Sequence, residues 1–200
     1  LRQWRPQLGL ALNCEAMTYY GAKEIASSFR TVRGNTIKIA EEIPEEHYNF
    51  QPAEAARTDA QTLQHIAVMS RVPELTHFVE HRFDFEGFDF FGLMSKLAAE
   101  SQAPRTKAEI IDLLRTEGDK FAALLDGATE EFLAERVAYP AGMMPPSKSR
   151  FEMLIATKEH EMHHRGQLML IQRMLGATTH LTRHMQEIIA SMQAQQQAQQ

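Results

Sequence analysis

Thr157-Lys158-Glu159-His160-Glu161-Met162-His163-His164-Arg165-Gly166-Gln167-Leu168-Met169-Leu170-Ile171 spaces Thr157, His160, His164, Gln167 and Ile171 by three and four residues in alternation. An α-helix turns once in about 3.6 residues, so these side chains share one stripe, which runs back to Met153 and on to Met174. His160 and His164 therefore stand one turn apart on an otherwise core-like face, a spacing that lets both reach one cation. Periodicity leaves His163 open as an alternative partner of His160. Continuity of the stripe favours His164, because His163 falls on a flanking line with Ala156 and Leu170.

The same period recurs upstream. Ile25, Phe29, Val32, Thr36, Ile39 and Ile43 mark the buried face of a first helix that Pro44 closes. Thr58-Asp59-Ala60-Gln61 is a capping box opening a second helix to about Glu80, with an inner stripe of His65, Met69, Val72, Thr76 and Val79. Pro73 should kink it, since it removes a backbone donor and crowds the preceding turn. Phe83 to Phe91 is expected to cover one end of the bundle, followed by a short helix from Phe90 to Ala99.

A second capping box, Thr106-Lys107-Ala108-Glu109, opens a third long helix with Ile110, Leu114, Phe121 and Leu125 inward, ended by Asp126-Gly127. A third, Ser149-Arg150-Phe151-Glu152, opens the histidine helix, which Gly176 stops. A last helix from about Leu181 to Met192 precedes a Gln/Ala tail. With no strand-like alternation, the fold class is all-α: a helical bundle with short extra helices in the crossover and at the C-terminus. The domain reading is an N-terminal extension (1–16), a bundle (17–176) and a C-terminal helix with its Gln-rich tail (177–200), Met17 being the expected natural start.

Bulk properties narrow the function classes. A length of 200 residues with 44% hydrophobic content supports one domain with a real core. A formal charge of -5 and no basic run argue against nucleic acid. The single cysteine, Cys14, excludes an intramolecular disulfide and a thiolate cluster, so any metal is held by nitrogen and oxygen; this suits a reducing cytoplasm. No apolar run approaches the ~20 residues that span a bilayer. Leu8 to Leu12 is shorter than the ~7–15 apolar residues of a signal peptide.

Two imidazoles rarely suffice for a tight site, and His65, in the second helical stripe, is the best third ligand. A buried neutral histidine needs polar partners for both ring nitrogens, and a helical core has few to offer. A shared metal satisfies three nitrogens at once. Three neutral imidazoles with an open fourth position suit catalytic zinc or nickel. His47, His77, His81, His180 and His184 fall in loops or near helix ends and read as solvated side chains.

His160-Glu161-Met162-His163-His164 also matches the letters of the HExxH peptidase motif, with Glu161 as general base, but on a bundle without the fold context that motif needs. The loop Tyr139 to Pro146 is expected to open the pocket, with Met143 and Met144 as substrate-contacting side chains and Gln167 touching ligand or a neighbouring group. Thr36 and Gly118 are small residues expected to leave room for substrate.

His65 in Leu63-Gln64-His65-Ile66-Ala67, the segment His160 to Leu168, and Gln172-Arg173-Met174-Leu175-Gly176 together resemble the DinB-like (DinB/YfiT-like) superfamily of metalloenzymes, over about Met17 to Gly176. The resemblance implies a four-helix bundle of up-down-down-up topology, a homodimer, and a divalent metal on His65, His160 and His164. It also implies transfer of a low-molecular-weight thiol to a small electrophile, with metal-dependent hydrolysis or a noncatalytic metal-binding stress-response role as the alternatives. A bound metal would lower the pKa of a water or hold a thiol as thiolate. Cys14 lies outside the bundle, so the thiol would be a cosubstrate.

Overall fold

The computed structural model describes residues 20–198, so Cys14, Met17 and the 1–16 extension lie outside the described residues. Helix α1 spans Ala22–Glu42 and ends at Ile43, ahead of Pro44. Helix α2, Asp59–Met69, starts at its capping box: the Thr58 hydroxyl accepts from the Gln61 N–H at 3.2 Å, and the Gln61 side chain accepts from the Thr58 N–H at 3.0 Å. After Ser70 the helix continues as α3, Arg71–Pro73, and a π-helical turn, Glu74–Val79. Helix α4 covers Phe90–Ser101, and α5, Lys107–Asp126, opens at Thr106 with the reciprocal Glu109 bond. A short α6, Glu130–Ala134, leads to strand β1, Arg136–Ala138, which pairs antiparallel with β2, Ser147–Ser149. Helix α7, Arg150–Met174, starts at the Ser149/Glu152 box, and α8 runs His180–Gln197.

Cross-helix contacts give the topology. Tyr20 meets the Phe151 ring, Lys158 donates to Ser28 and Arg33 binds Glu161, so α1 and α7 advance together. Along α5 the order reverses: Arg30 pairs with Asp126, Arg115 with Glu41, and Lys107 donates to the Ile43 carbonyl. The α2–α3 segment runs with α5, since Gln64 meets Arg105, Arg71 meets Glu117 and Glu74 meets Lys120. The result is a four-helix bundle, up-down-down-up, built on α1, α2–α3, α5 and α7.

Its interior falls into two layers. Ile39, Ile43, Leu63, Ile66, Ile110, Leu114 and Leu168 fill one end. Ile25, Phe29, Phe121, Leu125 and Leu154 fill the other. Each such side chain, fully buried, contributes about 1.5–3 kcal/mol of transfer free energy.

Three local expectations need correction. The wide π turn after Pro73 shifts the helical register, so Val79, read as core, is 66% exposed, whereas His77, read as a surface residue, is 3% exposed. The β1–β2 hairpin and α6 are additional elements; three-residue strands are too short to show alternation. Phe83, Phe90 and Phe91 leave much of their rings exposed where the crossover was expected to cover the bundle end.

Candidate metal centre

The three imidazoles singled out by spacing meet between α2 and α7. Nε2 of His160 lies 3.3 Å from Nε2 of His65 and 3.2 Å from Nε2 of His164. One ligand atom from each of the three lies within 4.8 Å of the others. Two nitrogens held at about 2.0–2.1 Å by one tetrahedral ion are themselves roughly 3.3 Å apart, so the observed separations match a shared cation. His163, the alternative by period, is exposed and turned to Gln167.

Protonation favours the same role. Burial, then Arg57 and the neighbouring rings, drives His65 down to about 3. Burial, then His164 and His163, brings His160 to about 4. His164 is lowered, chiefly by burial. The rings are thus neutral near pH 7, as metal ligands must be. Gln167 fixes the tautomer of one: its Oε1 lies 2.8 Å from His164 Nδ1, so Nδ1–H donates and the Nε2 lone pair points at the cluster.

A buried ion pair, Arg33 with Glu161, sits one residue along from His160. Arg33 Nε donates to both Glu161 carboxylate oxygens, at 3.0 and 3.1 Å, and Nη2 donates to Oε2 at 3.0 Å. The Thr36 hydroxyl donates to Oε1 at 2.7 Å. Arg33 Nη1 also donates to the Leu114 carbonyl at 2.8 Å and Nη2 to that of Ile66 at 3.4 Å. One guanidinium thus ties α1 to α7, α5 and α2, next in sequence to His65 and His160.

This geometry corrects two expectations. Glu161 is not poised as a general base: it is 2% exposed, and both oxygens are committed to Arg33 and Thr36. Gly118 and Thr36 do not make room for substrate. A Cβ on Gly118 would come within 2.7 Å of Arg33 Cγ, so the glycine makes room for the arginine, and Thr36 serves Glu161. The doublet of a cation on the first helix and an acid beside His160 was the available signal for Arg33, but no period links residues on different helices.

Two cavities border the cluster. One, of about 350 Å³, is lined by His160 with Met69, Val72, Pro73, His77, Phe85 and Tyr139 among others. The second, of about 630 Å³, is lined by His164 with Arg57, Thr62, His163, Gln167 and Ile171. The 139–146 loop contributes Tyr139 to the first, while Pro140 and Met143 line an adjoining aromatic recess with Phe85, Phe88, Phe90 and Phe91. Met144 is 86% exposed and borders none of these three. Among the described residues, no helix is long and apolar enough to cross a membrane.

Comparison with known proteins agrees with this architecture. The uncharacterized protein YjoA of Bacillus subtilis is 27% identical over 164 residues, covering 78% of this chain and 92% of its own. The crystal structure of YjoA, a DinB-like protein, superposes with a TM-score of 0.54 at 23% identity, over 78% of this chain and 94% of that one. Bacillus subtilis YfiT, described as a probable metal-dependent hydrolase with an unusual four-helix bundle topology, superposes with a TM-score of 0.61 at 14% identity, over 88% and 95% of the two chains. The family model of the DinB superfamily matches residues 28–168, and with most of the bundle inside that match, this chain belongs to the DinB superfamily.

Proposed function

We propose that this chain is a divalent-metal-dependent enzyme that joins a low-molecular-weight thiol to a small electrophile. The observation that carries the reading is the convergence of three neutral imidazole Nε2 atoms with cavities on two sides. His65, His160 and His164 would hold zinc or nickel, and such an ion supplies Lewis-acid activation that yields a nucleophile near neutral pH.

The residues around the triad divide the remaining work. Gln167 holds His164 in the tautomer that presents Nε2. Arg33 and Glu161 hold α7 against the other helices, so the histidine stripe keeps its register. Arg57, whose charge is felt by all three rings, lines the second cavity and suits an anionic small thiol. The more apolar cavity along His160 suits the electrophile. Two distinct cavities favour a two-substrate transfer.

Metal-dependent hydrolysis is the second reading, favoured by the description of the structurally similar YfiT. We also read the protein as a cytoplasmic homodimer; α8 leaves Met185, Ile188 and Met192 exposed, a surface that suits a second copy.

The test is direct. Zinc- or nickel-loaded protein, mixed with cysteine or mercaptosuccinate and monochlorobimane, should form the thioether faster than the metal-free protein and the His160→Ala variant. No difference overturns the transfer reading. Cleavage of an activated ester without thiol, lost in the same variant, would favour hydrolysis.

A further inference from the structure

The cavity along His160 is walled largely by Met69, Val72, Pro73 and aromatic rings, and His77 is one of the polar residues, with Thr76, Lys148 and Thr157, that interrupt that surface. Arg150 Nη1 lies 3.0 Å from His77 Nδ1. A guanidinium has only N–H donors and no free lone pair, so Nδ1 must accept and the ring proton must reside on Nε2. Arg150 is fixed in turn. Its Nε donates to Glu135 at 2.7 Å, and its plane lies between the rings of Phe83, at 5.1 Å, and Phe132, at 4.9 Å.

The His77 Nε2–H is left without an acceptor among the described residues, in a ring that borders the cavity. An imidazole N–H at the wall of a mostly apolar cavity is a ready donor to an acceptor bound there. Burial, then Arg150, brings the ring to about 4, so it stays neutral through the physiological range. A neutral imidazole held in one tautomer donates a hydrogen bond without transferring a proton.

We infer that His77 is a fixed N–H donor to a ligand oxygen, and that this cavity takes a small, largely apolar molecule bearing a carbonyl or comparable acceptor next to His160. The donor site stands on the cavity and the Arg150 contact. Only its use, to hold an electrophilic carbonyl beside the triad, rests on the proposed function.

The experiment uses ¹⁵N-labelled full chain with no metal added and two probes of similar shape, acetophenone and ethylbenzene. Long-range ¹H–¹⁵N spectra should show His77 Nδ1 unprotonated and Nε2 protonated near pH 7. Acetophenone should shift Nε2 and ethylbenzene should not. The ketone should bind about tenfold tighter, the equivalent of one net hydrogen bond, and His77→Phe should erase that preference. A proton on Nδ1, equal binding of the two probes, or binding of neither overturns the inference, and the spectra of the unsubstituted protein decide it even if the variant misfolds. Ketone binding in a chain that retains no metal would sink the metal reading and leave His77 in place.

Discussion

Arg33 reaches Glu161 across the bundle with three N–H···O contacts of 3.0–3.1 Å, and the same guanidinium caps carbonyls on both remaining core helices. The pair is the mechanical link between the fold and the histidine cluster, because Glu161 follows His160 and the Ile66 carbonyl follows His65.

Removing one partner strands a buried charge. Glu161→Ala should lower the unfolding free energy by about 3–5 kcal/mol in urea denaturation, and replacing both Arg33 and Glu161 by leucine should recover most of that loss. If the single variant is as stable as the parent, the pair is not the structural link described.

Gly118→Ala tests the space reserved for Arg33. The new Cβ meets Arg33 Cγ at 2.7 Å and Nη1 at 3.0 Å, and the arginine is pinned at both ends. A loss of about 1–3 kcal/mol is expected. In an Arg33→Ala background the same change should cost far less, since the clashing atoms are gone. Additive effects in that double-mutant cycle would refute the contact.

Metal content tests the triad. Purified protein should retain one divalent ion per chain, and His65→Ala, His160→Ala and His164→Ala should each lose it on dialysis. Gln167→Ala should weaken binding by about 10–100-fold, because the His164 ring loses the acceptor that orients it. Stoichiometric metal in all three alanine variants, measured by elemental analysis, ends the assignment.

Asp59 predicts a pH dependence of stability. Its carboxylate is fully buried, with neither oxygen partnered among the described residues, and burial pushes it up to about 7. The folded state therefore binds a proton more tightly than the unfolded chain does. Its contribution is fully present below pH ~4 and is lost as pH rises towards 7. Asp59→Asn should melt a few degrees higher than the parent at pH 8, with the gap closing near pH 4. A parent that becomes relatively more stable as pH rises would contradict it.

Much of the architecture was legible in local spacing. Three capping boxes gave the starts of α2, α5 and α7, because a cap is a bond between residues three apart. The 3.6 period alone left His163 and His164 both open; continuity of the stripe favoured His164, and the structure turns it inward and His163 to solvent. That period failed after Pro73, where the π turn altered the residues per turn and exchanged the fates of His77 and Val79. It placed Gln167 on the histidine stripe, but only the structure showed its amide beside His164 Nδ1.

The chain's periodicity, caps and helix-ending residues determined by themselves that this protein is a helical bundle carrying His65, His160 and His164 on inward stripes, since each of those signals acts within a few residues. Tertiary structure alone decided that Glu161 answers Arg33 instead of the histidines, that Gly118 exists for that arginine, and that His77 is held by Arg150 at a cavity wall. Those relations join residues 73 to 128 positions apart. Direction and distance between packed helices are set by the whole core, and no local pattern encodes them.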